Sequence, residues 1–161
     1  MRKILMIFAT IALLAVAPLA IAQEKTTQSS LEQITALAAK YKGKSGVASL
    51  VANGGGKLNM VKMILRKDFD KEFIEGIECF AIISYKDAST ELRNKIVDDI
   101  APIIAPLSEV DVKGKLKPNA RGRGYVRRKP ETQRVSDLVV VMESPAPKLI
   151  YFGGDFEDEN K

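Results

Sequence analysis

One segment of the chain, Ile77 to Leu116, constrains the fold more than any other because it contains three element patterns in succession. An apolar run from Ile77 to Tyr85 predicts a strand. The stretch from Asp87 to Ala101 has acidic residues near its start and apolar residues at helical spacing, which predicts a capped amphipathic helix. Alternation from Val110 to Leu116 predicts a second strand. Because such a unit cannot bury both of its faces alone, other elements must cover it.

Three elements are predicted before this unit. A helix from Ser30 to Lys42 opens with a capping-box pattern and ends at Gly43. A short strand follows from Ser45 to Ala52, and helical spacing of apolar residues predicts a second helix from Leu58 to Leu65. The glycines at positions 54–56 are not followed by the lysine and hydroxyl residue of a phosphate-binding loop, so they predict a flexible connection.

The remaining elements are strands and turns. A turn is predicted at Lys117–Gly122 and a return strand at Gly124–Arg128. Residues Leu138–Met142 and Leu149–Phe152 are apolar at every position, which is typical of central strands covered on both faces. The prolines in Pro145–Pro147 suit a hairpin connection between these two strands.

These patterns predict an α+β fold in a single domain. We expect a mainly antiparallel or mixed sheet of about five or six strands, with about two or three helices packed chiefly on one face. The predicted domain covers residues 30–154, between a flexible tail at 23–29 and an acidic tail at 155–161. Cys79 is the only cysteine, so no intrachain disulfide can form, and its apolar surroundings assign it to packing.

The first 22 residues predict a secretory signal peptide. Two basic residues precede an apolar stretch from Ile4 to Ile21, which ends in a small-residue pattern at positions 20–22. This pattern predicts cleavage before Gln23, and Pro18 favours removal over the alternative of a membrane anchor. Because no cysteine stands at the cleavage point, we do not expect a lipoprotein. The mature protein is therefore expected in the periplasm or outside the cell.

The absence of histidine limits the chemistry that this chain can perform. It removes the commonest general base and most transition-metal sites, so we predict no catalytic residue, no metal site and no cofactor. A hydrolase that uses paired carboxylates or a serine–lysine pair remains an alternative. The carboxylate pairs, whose segments predict solvated surface, are Asp98 with Asp99, Asp68 with Asp70, and Asp155 with Glu157.

Positive charge is concentrated in one stretch of the chain. Between Lys113 and Arg134 nine residues are basic and one is acidic, while the net charge of the whole chain is only +5. Arginines on a hairpin can bind phosphorylated head groups, acidic polysaccharides or an acidic protein surface. The alternative is that they are ordinary charges that keep an edge hairpin from aggregating. The predicted anion contacts are Arg121, Arg123, Arg127 and Arg128, with Tyr125 as a stacking or burial anchor.

The mature chain resembles a family of small exported proteins of unknown function that is common in Bacteroidetes. The resemblance rests on the order and spacing of the signal peptide, the helix that ends at Ala39–Lys42, the strand Val47–Val51, the central unit and the closing strands Leu138–Val141 and Leu149–Asp155. It implies an α+β domain and carries no catalytic signature or functional residue. Some members are lipoproteins, and this chain departs from them because it lacks the lipid-accepting cysteine.

The sequence therefore predicts a non-enzymatic binding or accessory protein of the cell envelope that contacts an anionic partner through its basic hairpin. Because export is predicted, we expect neither a nucleic-acid partner nor a stable membrane span after processing. A hydrolase is one alternative. A structural subunit of an envelope assembly is another, and it would have an exposed apolar patch or an open strand edge.

Overall fold

The computed structural model of the protein describes residues 29–112, 116 and 118–157. The chain divides into two compact units, Met1–Gln33 and Ile34–Lys161, and the second contains every described strand. The predicted signal peptide, the tail at 23–28 and the end of the acidic tail lie outside the described residues. So do positions 113–115, which the sequence assigned to the second strand of the central unit.

The described part of the chain forms a six-stranded antiparallel sheet with four helices, which confirms the predicted α+β class. The strand order across the sheet is β1-β2-β6-β5-β4-β3. The helices are α1 (Ser29–Tyr41), α2 (Gly55–Leu65), α3 (Lys71–Gly76) and α4 (Thr90–Ile104). The strands are β1 (Ala48–Asn53), β2 (Ile77–Ser84), β3 (Ser108–Val110), β4 (Arg121–Arg128), β5 (Val135–Ser144) and β6 (Lys148–Phe156).

Strands β5 and β6 occupy the middle of the sheet, as their uninterrupted apolar sequences predicted. β6 pairs with β2 on one side and with β5 on the other. Its neighbouring residues Tyr151 and Phe152 point to opposite faces, and both are buried. The hairpin between β5 and β6 turns at residues 145–147, which was also predicted.

One face of the sheet, which we call the first face, carries a cluster of aromatic side chains. α2 packs against β1 and β2 there, and α3 packs against β6. Phe152 lies at the centre of the cluster, with its ring 5.2 Å from that of Phe73 and 5.3 Å from that of Phe80. Edge-to-face pairs of this kind contribute about 0.5–1.5 kcal/mol each beyond the burial of their surface. They attach α3 to the centre of the sheet.

The opposite, second face is buried as well. Side chains such as Ile83 and Val139 have no exposed surface there. α1 and α4 both present buried apolar stripes, and they are joined at Asp99, which accepts hydrogen bonds from Lys40 Nζ and Tyr41 Oη, each 2.6 Å long. Both faces of the sheet are thus buried, and the described residues form four helices where two or three were predicted. Central strands that are apolar at every position require this double cover.

The helix of the central unit differs from the prediction at both ends. It begins after Ser89, whose hydroxyl accepts a hydrogen bond of 3.2 Å from the backbone N–H of Leu92, and not at Asp87. It continues past Pro102 to Ile104, although a proline inside a helix removes one backbone hydrogen bond. Pro102 lies on the exposed side of the helix, where water can replace that bond.

Two segments before the central unit are helical where no helix was predicted. Gly55 and Gly56 form the first turn of α2, where a flexible link was expected. Asp70 caps the additional helix α3, because its side chain accepts a hydrogen bond of 2.8 Å from the backbone N–H of Phe73. The segment before the central unit therefore places aromatic side chains on the sheet instead of forming an open loop.

Candidate functional site

A groove of about 1060 Å³ opens on the first face beside α3. One wall is α3 with the loop before it, and the other comprises residues at the ends of β3, β5 and β6. Since α2 and α3 pack chiefly against β1, β2 and β6, the first face is left open towards β3, β4 and β5. We call this cavity the acidic groove. Its carboxylates are Asp68, Asp70, Glu72, Glu75, Glu78, Asp111, Asp155 and Glu157.

The floor of the acidic groove is apolar. Phe73 stacks on Phe156 with ring centroids 4.9 Å apart, and Phe69 stacks on Phe73 at 5.0 Å. Phe69 is 38 % exposed, and Val110 and Leu138 are half-buried. The groove thus offers a ligand partly exposed apolar surface between charged edges, which is the composition of many binding sites.

The charge of the groove is strongly negative. Arg134 is the one basic residue among its lining residues, and Arg134 Nε donates a hydrogen bond of 2.9 Å to Asp155 Oδ1. Lys129 Nζ donates to the same oxygen at 3.2 Å, and Arg134 Nη1 donates to Glu157 Oε1 at 3.2 Å. The hydrogen bond from Arg134 first, and then that from Lys129, lowers the pKa of Asp155. Asp155, Glu157 and Glu75 have cationic partners in Arg134, Lys129 and Lys71. The eight carboxylates still outnumber these cations, which gives a field that favours positively charged ligands.

Sequence reasoning named four of these carboxylates but not the groove. Asp68 and Asp70 precede α3, while Asp155 and Glu157 lie at the end of β6, and the fold brings these two predicted pairs to one cavity. The third predicted pair, on α4, is not among the lining residues. Asp155 lies within β6 and not in a tail. The one local signal that could have been used is the position of Asp70 three residues before Phe73, which is typical of a helix cap.

The arginines predicted to bind anions lie in a paired strand. β4 begins at Arg121, so residues assigned to a turn belong to the sheet. Arg123, Tyr125 and Arg127 alternate along β4 and point to the second face, and Tyr125 is half-buried. Arg121 and Arg128 adjoin register irregularities at the two ends of the strand. The structure therefore does not bring all five predicted residues to one surface.

The arginines also differ in exposure and in their partners. Arg121 is exposed, and the Arg123 side chain is 59 % exposed, with its Nε 3.8 Å from Glu143 Oε1. The Arg127 side chain is only 16 % exposed, and its Nε lies 3.3 Å from Asp137 Oδ2. Arg127 thus belongs to an internal ion pair, and Arg121 and Arg123 are the members of the set that solvent reaches most easily.

Asp137 is the centre of a buried polar cluster beside β6. Its side chain accepts hydrogen bonds from Tyr151 Oη at 2.7 Å and from Ser136 Oγ at 2.9 Å, in addition to the ion pair with Arg127. Asp137 is 7 % exposed, and a buried carboxylate requires such partners. Burial first, and then the charge of Asp137, raises the pKa of Tyr151. The phenol therefore stays protonated and continues to donate.

Cys79 adjoins this cluster. Its Sγ lies 3.9 Å from Tyr151 Oη, and burial raises the pKa of the thiol. A Cβ atom at Gly153 would lie 2.4 Å from that sulfur and 2.5 Å from Tyr151 Oη, so only glycine leaves room for both side chains. Cys79 is a free, buried cysteine, which agrees with its assignment to packing.

No protein family, characterised protein or solved structure matches the chain. Within residues 29–112, 116 and 118–157, no group of three or more cysteine and carboxylate side chains is arranged to hold a metal ion. No helix in the same residues is long and apolar enough to cross a membrane.

The hydrogen bond from Tyr151 to Asp137 predicts a loss of stability when it is removed. We expect Tyr151→Phe to lower the free energy of unfolding at pH 7 by about 1.5–3 kcal/mol, because it leaves a buried carboxylate without one donor. Since the pKa of Tyr151 is raised in the fold, its contribution is complete below the unfolded pKa of about 10 and is lost as the pH rises above it. Urea unfolding at stepped pH measures both effects, and the alkaline decline should be shallower in Tyr151→Phe than in the wild type.

Tyr85 provides the matched control. It is 2 % exposed, and its phenol oxygen forms no hydrogen bond to another described residue. We expect Tyr85→Phe to change the free energy of unfolding by less than about 0.5 kcal/mol at pH 7. Equal losses in the two variants would contradict the assignment.

Proposed function

We propose that this protein is a non-enzymatic binding protein of the cell envelope and that its acidic groove takes a ligand that is both apolar and positively charged. The observation that carries the proposal is the combination of eight carboxylates with a partly exposed aromatic floor. Either feature alone is common on protein surfaces. Together they favour a ligand whose apolar part packs on the aromatic floor and whose positively charged groups contact the carboxylates.

The size of the groove favours a peptide segment over a metabolite. At about 1060 Å³ it is slightly larger than the range of roughly 300–1,000 Å³ that is usual for small-molecule sites. Lysine and arginine side chains suit such a site, because their methylene stems can cover Phe69 and Phe73 while their charges reach the carboxylates. The proposed ligand is therefore a short basic and apolar segment of a protein, and its binding should weaken in salt.

The alternative of a carboxylate hydrolase is less well supported by the groove. A general acid requires a carboxyl group whose pKa is raised. The pKa of Asp155 is lowered instead by its hydrogen bonds to Arg134 and Lys129. An ion pair of this kind suits a fixed wall of a binding site better than a proton donor.

A charge reversal on α3 tests the groove. Glu72 and Glu75 are exposed groove residues, and we expect Glu72→Lys/Glu75→Lys to weaken the binding of a labelled peptide of alternating lysine and leucine by about tenfold or more. Fluorescence anisotropy measures the dissociation constant. A peptide of alternating glutamate and leucine should not bind.

The control for this experiment is Asp87→Lys/Asp98→Lys, which changes the net charge equally at exposed positions outside the groove. It should bind the basic peptide within about twofold of the wild type, apart from a small general effect of net charge. The proposal fails if both double variants bind alike, or if the acidic peptide binds as well as the basic one.

The second candidate function, contact with an anionic partner through β4, is favoured by the exposure of Arg121 and Arg123. We expect Arg121→Ala/Arg123→Ala to elute from phosphocellulose at lower salt than the wild type, because two accessible guanidinium groups are lost. Lys42→Ala/Lys44→Ala removes the same charge from exposed positions in another loop and serves as the control. Elution of the two variants at the same salt concentration would leave β4 without a special role.

Placement in the envelope is proposed from the leader pattern and from the resemblance to exported proteins. If it is right, the protein recovered outside the cytoplasm of an expressing bacterium begins at Gln23, which intact mass determines. We expect Ala22→Arg to block processing because the cleavage pattern needs a small residue there, whereas Gln28→Arg should be processed normally. Recovery of the full-length chain in the cytoplasm would contradict the proposal.

A further inference from the structure

Helix α2 is apolar on two sides. Leu58 and Val61 are buried against the first face of the sheet. Met60, Met63 and Ile64 point away from it and are 61 %, 63 % and 62 % exposed, more than the other exposed large hydrophobic residues in the described part of the chain. Residues three and four apart are neighbours on a helix surface, so these three side chains form one continuous patch. We call it the outer stripe.

Basic side chains surround the outer stripe. Lys57 and Ile64 lie two turns apart on nearly the same line along the helix, and Arg66 lies one turn beyond Met63 on the opposite flank. Lys67 follows at the carboxyl end of the helix. The segment from Gly54 to Lys67 contains no acidic residue. Lys57, Arg66 and Lys67 are exposed, and none of them forms an ion pair with another described residue.

We propose that the outer stripe docks on the surface of an anionic lipid bilayer. Methionine and isoleucine side chains would enter the boundary between head groups and acyl chains, and the flanking lysines and arginine would extend to the phosphates. α2 has 11 residues and would lie in the plane of the interface, since about 20 apolar residues are needed to cross the hydrocarbon core. The outer stripe shares no residue with the acidic groove, whose lining begins at Asp68, so the two proposals can fail separately.

Charge and shape favour a bilayer over a protein surface. In a symmetric pairing of two outer stripes, Lys57, Arg66 and Lys67 of one copy would approach the same residues of the other, and like charges repel. A protein partner would need an apolar hollow that fits the convex helix. A bilayer adapts to projecting side chains of any shape and supplies the negative charge.

Vesicle sedimentation tests the proposal. The purified protein, with its amino terminus identified by intact mass, should sediment with vesicles of phosphatidylglycerol and phosphatidylcholine and remain in solution with phosphatidylcholine alone. We expect Met60→Gln/Met63→Gln/Ile64→Gln to lower the partition coefficient by about tenfold or more, because the apolar contact is lost while the helix-forming tendency is kept. All variants share one amino terminus, so any contribution of the leader cancels in the comparison.

Two control variants make the result specific. Val97→Gln removes an exposed apolar side chain from α4, and Arg121→Ala/Arg123→Ala removes two cations from β4. Both should bind the anionic vesicles within about twofold of the wild type, and circular dichroism verifies that every variant is folded. The proposal is overturned if the wild type does not prefer anionic vesicles, if the glutamine triple variant binds as well as the wild type, or if the β4 variant alone loses binding.

A second measurement does not depend on substitutions. Oxidation of Met60 and Met63 by peroxide, followed by peptide mass spectrometry, should slow by about fivefold or more when anionic vesicles cover the outer stripe. Unchanged oxidation with bound vesicles would overturn the proposal. The proposal would also be overturned if, without lipid, oxidation became slower as the protein concentration rose. That result would mean that the outer stripe is covered by another copy of the chain.

Discussion

The structure depends on the middle strand β6, where two consecutive side chains hold the two faces of the sheet. Phe152 points to the first face and contacts Phe73 and Phe80. Tyr151 points to the second face and donates a hydrogen bond to Asp137. Neighbouring residues in a strand point to opposite sides, so this pair joins an aromatic cluster to a buried polar cluster through one backbone segment. The contact between Phe152 and Phe73 fixes α3, and with it one wall of the acidic groove.

The sequence predicted those features that leave a pattern in neighbouring residues, and it did not predict features that depend on residues far apart in the chain. The apolar runs at Leu138–Met142 and Leu149–Phe152 predicted central strands because double burial leaves a mark at every position of a strand. The sequence did not predict the acidic groove, since Asp68 and Asp155 are far apart in the chain and their own segments resemble solvated loops. Proximity of that kind arises from strand order, which no residue pattern in the chain records.

The arginines of β4 illustrate the same limit within one element. The sequence predicted Arg121, Arg123, Arg127 and Arg128 as one set of anion contacts, but which of them faces solvent depends on the register between β4 and β5. Arg127 lies opposite Asp137 in that register and forms an internal ion pair, while Arg123 lies opposite Val141 and remains largely exposed. A charge count treats these two residues as equal. The tertiary structure gives one a role in stability and leaves the other accessible.

α2 has apolar residues on both sides, and its outward side, unlike its inward side, includes two flexible methionines beside Ile64. Leu58 and Val61 face the sheet, and their branched side chains have few rotamers and pack in a defined way. Met60 and Met63 face outwards, and methionine is flexible and fits irregular surroundings. If the outer side served only solubility, polar residues would be expected there. Two flexible methionines and Ile64, flanked by cations that pair with no other described residue, suit a fluid, negatively charged surface better than water or a rigid partner.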